Sequence, residues 1–164
     1  MKRELNKEEQ KVPYRGGSQG LAKGTKVKTA RGLIPIEDVK VGDKVYSETS
    51  EEVAVLEVVS SGPREVADVQ LLYTTSVGKN CDTTLFSCPV DHKFLTAWGR
   101  TCKAKSLRGV TCIKQVAVDY EPVFRQPLFW GANKRVEETF DIRVDSPTNF
   151  YQLEHGFVTS NSGK

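Results

Sequence analysis

Two histidines, four cysteines and a closing Asn-Ser pair are the residues of this 164-residue chain whose types could do chemistry. Cys81, Cys88, Cys102 and Cys112 contain no C-x-x-C and match no common zinc signature. Buried thiols are therefore the expected state, and neither metal nor cofactor is called for. A metal site would have to recruit His92 or His155. His92 lies in Asp-His-Lys-Phe, and an isolated histidine in a β protein is more often packed or superficial than catalytic. Asp141, in a Phe-Asp pair, reads on its own as a solvated strand carboxylate, and Ser162 in a tail means nothing alone. What could unite them is the set of elements that carries them.

Those elements are short and extended. KVKTA (26–30), LIPIEDV (33–39), KVYSE (44–48), VAVLEVVSSG (53–62), EVADVQLLYTT (65–75), TLFSCPV (84–90), HKFLTA (92–97), TCIKQVAV (111–118), TFDIRV (139–144) and FYQLEHGFVTS (150–160) alternate with a period of two and favour β-branched residues. Arg31-Gly32, Val41-Gly42-Asp43 and Trp98-Gly99-Arg100 read as turns. No helical stripe of three turns is present, although IEDV (36–39) and KAKSL (103–107) could each form one turn. The pattern predicts an all-β domain of strongly bent antiparallel strands. The segment from Asp119 to Arg135, with Pro122, Pro127 and Trp130, reads as an insertion or surface loop. Residues 1–12 are polar, Pro13 to Gly20 form a turn-rich linker, and the domain begins near Gly20.

Composition bounds the function. At 38% apolar and 27% charged the chain is ordinarily globular, and its length suits one compact domain, expected as a monomer. A net charge of +3 spread among acids and bases does not indicate nucleic-acid binding. No apolar run approaches the roughly 18 residues of a membrane span, and no apolar stretch follows the basic N-terminus, so a soluble, cytoplasmic chain without membrane contact is expected.

Three stretches together resemble the intein family of the Hint superfamily. GLAKGTKVKTARGLIPIEDVKVGDKVYS (20–47) is similar to its opening block, with Gly-Thr, a strand and an Ile-Glu-Asp-x-x-x-Gly-Asp turn. CPVDHKFLTAWGR (88–100) is similar to the block holding a His between an Asp and an aromatic strand, and FDIRVDSPTNFYQLEHGFVTSN (140–161) to the closing blocks. The resemblance implies a horseshoe of bent strands with pseudo-twofold symmetry, both ends of the intein meeting at one site. It divides the chain into an N-terminal extein remnant (1–19), a splicing domain (20–161) of 142 residues without a homing endonuclease, and a C-terminal extein remnant (162–164).

The implied activity is autocatalytic protein splicing, a single-turnover reaction in cis rather than enzymatic turnover, with the flanking exteins as its partners. Its first nucleophile would stand at Gly20, attacking the Gln19 carbonyl; glycine has none, so a precursor blocked at the first step is expected. His92 would protonate the leaving amide nitrogen. Asp141 resembles the acid near the first residue. Ser162 would accept the N-terminal flank, and Asn161 would cyclise to a succinimide and cut the Asn161–Ser162 junction. The family commonly has His where Ser160 stands, a Thr or Ser where Pro89 stands, and a second His where Thr148 stands. These departures weaken the helpers, leaving His155 as a candidate for assisting cyclisation.

Joining the flanks gives Gly16-Gly17-Ser18-Gln19-Ser162-Gly163-Lys164, which fits the G-x-x-x-x-G-K of a phosphate-binding loop. The host is then expected to be a P-loop ATPase, such as a phage terminase or helicase. If Gly20 belonged to the host, Gly17 would open the same pattern. Two other readings stay open: a catalytically dead Hint-like relic or binding module, favoured by Gly20, Pro89 and Thr148, and a zinc-binding β protein using the four cysteines.

Overall fold

A computed structural model describes residues 20–74, 77–107, 113–116 and 128–160. They form eleven strands and three single 3-10 turns, so the expectation of antiparallel β structure holds. The strands are β1 (Leu21–Ala22), β2 (Lys26–Thr29), β3 (Gly32–Pro35), β4 (Lys44–Tyr46), β5 (Glu52–Thr74), β6 (Asn80–Cys88), β7 (Lys93–Leu95), β8 (Thr101–Lys103), β9 (Leu128–Val144), β10 (Phe150–Gln152) and β11 (Val158–Ser160). One sheet runs β1-β9-β5-β4-β2-β3 with β6 also on β5, and a smaller one runs β10-β11-β7-β8. Leu21, Val27, Ile36, Val55, Phe94, Ile142, Tyr151 and Phe157 form part of the shared apolar core.

The opening motif has a local physical cause. Ile36 starts the expected 3-10 turn, Ile36–Asp38, and is fully buried. Glu37 accepts the Gly24 N–H at 2.8 Å, tying the end of β1 to this turn. Asp43 accepts the Lys40 N–H at 2.9 Å and pairs with Arg31, while Gly42, at φ +94°, lets the chain reverse into β4. The expected turn at KAKSL appears as Ala104–Ser106, and a third, Glu154–Gly156, precedes β11.

Two readings of the sequence are corrected. Gly62-Pro63 looks like a break between two strands, but β5 runs through it. Ser60 pairs with Phe140 and Gly62 with Thr139, so Ser61 is an extra residue bulged out of the ladder. A bulge accommodates both the left-handed Gly62 (φ +78°) and a proline without an N–H. Residues 128–135 are likewise not loop but the first half of β9, paired to β5. Their loop-like composition belongs to two adjoining irregularities on either side of the Asp68–Ala132 pair, with Asn133 at φ +56° on the side of Val66–Arg135 and Gly131 at φ +136° on the side of Val69–Trp130.

The irregularity at Asn133 is fastened by a polar cluster. Asp68 accepts hydrogen bonds from Ser87 Oγ (2.6 Å), Arg135 Nη1 (2.9 Å) and Asn133 Nδ2 (2.8 Å). Burial pushes the Asp68 carboxyl up, but the bonds from Asn133, Ser87 and Arg135 outweigh it and hold the group below its usual range. Of the expected strand at 111–118, Ile113 and Gln115 make isolated bridges to Thr96 and Phe157; residues 111, 112, 117 and 118 lie outside the described residues, as do 119–127.

Candidate functional site

The site forms where the start of β1, β7 and β11 meet at one imidazole, with β9 paired to β1 beside it. After β6 the chain turns through Pro89-Val90-Asp91-His92, closed by the His92 N–H donating to the Pro89 carbonyl at 3.2 Å. Pro89 stands at the first position of this turn, where a hydroxyl was expected, and contributes its backbone carbonyl. The imidazole is fully buried, with its edge against Phe94 at a centroid distance of 4.9 Å. Outside, Asp91 is held by Lys103 and Lys105 at 3.9 and 3.6 Å.

Both ring nitrogens have partners. The Gly20 N–H donates to Nδ1 at 2.9 Å, and Nε2 lies 2.5 Å from Thr159 Oγ1. Because Nδ1 receives an N–H, it must carry a lone pair, so the proton of the neutral ring is on Nε2 and is donated to Thr159. Burial holds the imidazole pKa down at about 3, which makes the neutral ring the resting form near pH 7. A dry, unprotonated nitrogen facing a backbone N–H can take a proton from an attacking nucleophile. It can then deliver that proton to the amide nitrogen as the bond to the preceding carbonyl breaks.

β1 pairs with β9 through Leu21–Phe140 and Ala22–Thr139, and the same register extended by one residue would set Gly20 opposite Asp141. Directly opposed residues share a face, so a side chain at position 20 would emerge on the side of Asp141 and Thr139. A Cβ there would sit 3.3 Å from Thr139 Cβ, and Gly20 itself is at φ +140°, a conformation suited to glycine. Asp141 is buried and its Oδ1 accepts from the Ile142 N–H (2.8 Å) and from Tyr151 Oη (3.2 Å). Tyr151 in turn pairs with Thr159 across β10 and β11.

Gly20 and His92 are therefore in direct contact, and Asp141 stands on the strand beside Gly20. Ser160 ends β11, half-buried. His155 lies elsewhere, at φ +65° in a surface hollow lined by Lys28, Leu33 and Tyr46, with Nε2 3.8 Å from Glu154. Thr148 is exposed and donates to Glu48 at 3.0 Å. Gln19, Asn161 and Ser162 lie outside the described residues. Cys88 is in the core and Cys102 on β8; burial raises both thiols, Cys102 to about 11, so neither supplies thiolate near neutral pH. Sequence reasoning passed over Thr139, Tyr151 and Thr159. A threonine in a β-rich run is an ordinary strand former, and nothing local marks the one that meets an imidazole.

Burial of a neutral histidine gives a pH prediction. The unfolded chain binds the His92 proton near pH 6.5, the folded chain only near 3. Its contribution is complete above pH 6.5 and is lost as pH falls, by about 2 kcal/mol between pH 7 and pH 5. The lowered carboxyls of Asp68 and Asp43 weaken the fold only below the usual carboxylate range, outside this window. Urea denaturation at pH 7 and pH 5 should show this loss, and His92→Gln should remove most of it; an equal loss in both chains would contradict the assignment.

The structure is similar to solved inteins. A MchDnaB-1 intein variant aligns with TM-score 0.61 and 22% identity, covering 86% of this chain and 98% of that one. A DnaB intein from Synechocystis sp. PCC 6803 gives 0.58 at 17% identity over 87% and 97%. The gp41-1 intein gives 0.54 at 23% identity over 87% and 98%. At these identities the likeness is one of fold: the chain has the all-β intein fold. No protein-family profile and no curated protein matches it.

Proposed function

We propose, taking the intein fold as premise, that residues 20–161 form a mini-intein splicing domain whose first step is blocked at Gly20, between extein remnants 1–19 and 162–164. The observation that carries this reading is the sharing of one buried imidazole by the two ends of the domain, Gly20 on Nδ1 and Thr159 on Nε2. Thr159 precedes the Asn161–Ser162 junction by only two residues of chain, which span at most about 7 Å. Such proximity is what a reaction joining two distant flanks requires.

The chemistry divides by residue. At the N-terminal junction, a nucleophile at position 20 would attack the Gln19 carbonyl carbon. Its proton would pass to His92 Nδ1 and then to the amide nitrogen, leaving an ester or thioester. Asp141, on the same face, would orient that nucleophile. Ser162 Oγ would then take over the acyl group. At the C-terminal junction, Asn161 Nδ2 would attack its own carbonyl carbon, closing a succinimide and expelling the Ser162 amine. A shift of the acyl group from that serine's oxygen to its nitrogen restores the peptide. The joined flanks would complete a P-loop, so we assign the host to the P-loop ATPases.

Gly20, at φ +140° and close to Thr139, specifically favours a second reading, a relic that has adapted to glycine and lost the chemistry. The C-terminal act separates the two, because it needs no nucleophile at position 20. On prolonged incubation of the unaltered chain, mass spectrometry should show release of the Ser162–Lys164 tripeptide from a product ending in a succinimide, with Asn161→Ala intact. A chain as inert as Asn161→Ala would favour the relic.

A further inference from the structure

We propose that the chain carries a second, latent acyl-shift site at Ser87, a counterpart of the site at position 20 that has the hydroxyl but not the imidazole. The counterpart follows from an internal twofold that relates β1 and β2 to β6 and β7. Ser87 and His92 follow Gly20 and Thr25 by the same 67 residues. The Thr25 N–H donates to the Ala22 carbonyl at 3.1 Å as the His92 N–H donates to that of Pro89 at 3.2 Å. The Thr25 carbonyl accepts from the Ile36 N–H at 2.7 Å as that of His92 accepts from Ala104 at 2.8 Å. The β5–β9 ladder repeats in the same way: the pairs Asp141–Val59 and Thr139–Gly62 match Asp68–Ala132 and Val66–Arg135, each residue differing by 73 in number from its counterpart. Ser87 pairs with Asp68 on β5, the relation that the extended β1 register gives Gly20 and Asp141.

Two side chains set the counterparts apart. Thr25 stands in the place of His92, and its hydroxyl turns back to the Ala22 carbonyl at 2.7 Å. An open hollow of about 210 Å³ is lined by Thr25 and Ser87 together with Lys23, Gly24, Arg135 and Glu154, which is where the twofold puts the ring. Arg135, in the place of Gly62, donates to Ser87 Oγ at 3.0 Å and to Asp68 Oδ1 at 2.9 Å. The nucleophile missing from position 20 is present here: Ser87 Oγ donates to Asp68 Oδ1 at 2.6 Å. The direction of that bond is fixed, because an ionised carboxylate only accepts. The hydroxyl is thus aligned but has no effective base, since Asn133 and Arg135 hold the Asp68 carboxyl below its usual range and Thr25 supplies none. With an imidazole at position 25, Ser87 Oγ would attack the Phe86 carbonyl carbon. Its proton would pass to the ring and then to the Ser87 nitrogen as that C–N bond breaks, leaving an ester between Phe86 and Ser87.

The test is Thr25→His in the otherwise unaltered chain, incubated with hydroxylamine, which captures an ester by attacking its carbonyl carbon. Mass spectrometry should show release of residues 1–86 as the hydroxamate, at least about tenfold faster than from the unaltered chain, and none from Thr25→His with Ser87→Ala. The inference rests on the splicing reading for its chemistry, so Gly20→Ser, cleaved by hydroxylamine after Gln19, serves as the reference for the first site. Cleavage after Gln19 in Gly20→Ser without cleavage after Phe86 in a folded Thr25→His chain overturns the latent site alone. Absence of both overturns both readings, and cleavage after Phe86 that persists with Ser87→Ala overturns the assignment to Ser87. Should Thr25→His fail to fold, free imidazole takes its place. Added to the unaltered chain, it should shift the Thr25 and Ser87 amide signals and bring about the same cleavage after Phe86; unmoved signals without cleavage overturn the proposal.

Discussion

Adding His92→Ala to a Gly20→Cys chain should slow cleavage after Gln19 by roughly 100- to 10,000-fold, the range a positioned acid-base group supplies. The expectation follows from the ring's place in the site. The amide nitrogen is a poor leaving group until it is protonated, and the nucleophile is poor until it loses its proton. Nδ1, at 2.9 Å from the Gly20 nitrogen, is placed to serve both ends of that transfer. Its low affinity for a proton, about pKa 3, means that the proton it receives is passed on rather than retained. Removing the ring also leaves a buried amide N–H without an acceptor, so stability must be followed in parallel by thermal melting. Thiol-induced cleavage, timed by mass spectrometry on folded protein, is the check. A double variant that is folded and cleaves as fast as Gly20→Cys alone would remove His92 from the mechanism.

Asn161→Ala in the same background should abolish release of the 20–161 segment while sparing the first step. Alanine has no side-chain amide, so no succinimide can form and the bond to Ser162 has no internal nucleophile. The acyl group would then rest on residue 20 or on Ser162, where added thiol or hydroxylamine should free residues 1–19. Electrophoresis and mass spectrometry would show N-terminal cleavage without any C-terminal product. Excision that persists in Asn161→Ala would place the C-terminal cut on a different group.

Much of the architecture was legible because its signals are local. Gly42 and Asp43 encode a turn, Ile36 a buried anchor and Glu37 a tie to Gly24, all within a few residues of chain. The two misread segments were places where turn-forming residues serve inside long strands. Gly62-Pro63 and Gly131-to-Asn133 are bulges, and a bulge uses the same glycines and left-handed asparagines as a loop. Their strand character comes from pairing between β5 and β9, partners more than fifty residues apart, which no local pattern reports.

The site divides in the same way. His92 could be singled out through its motif, and its contact with Gly20 follows once both stretches are aligned with the intein blocks. Thr159 could not, since its importance arises from a hydroxyl meeting a ring 67 residues away. Pro89 lacks the hydroxyl the family commonly has there, and the backbone carbonyl that accepts the His92 N–H is one any residue would supply. Polar contacts of this kind depend on sub-ångström placement of strands and leave no periodic trace in the chain.

The most direct measurement is the intact mass of a Gly20→Cys chain over time. Our account predicts loss of the precursor with appearance of two products, the excised 142-residue domain and a 22-residue peptide in which Gln19 is joined to Ser162. A folded Gly20→Cys chain that stays at full mass, with no cleavage at either junction and none on addition of thiol, would contradict the claim that this domain splices.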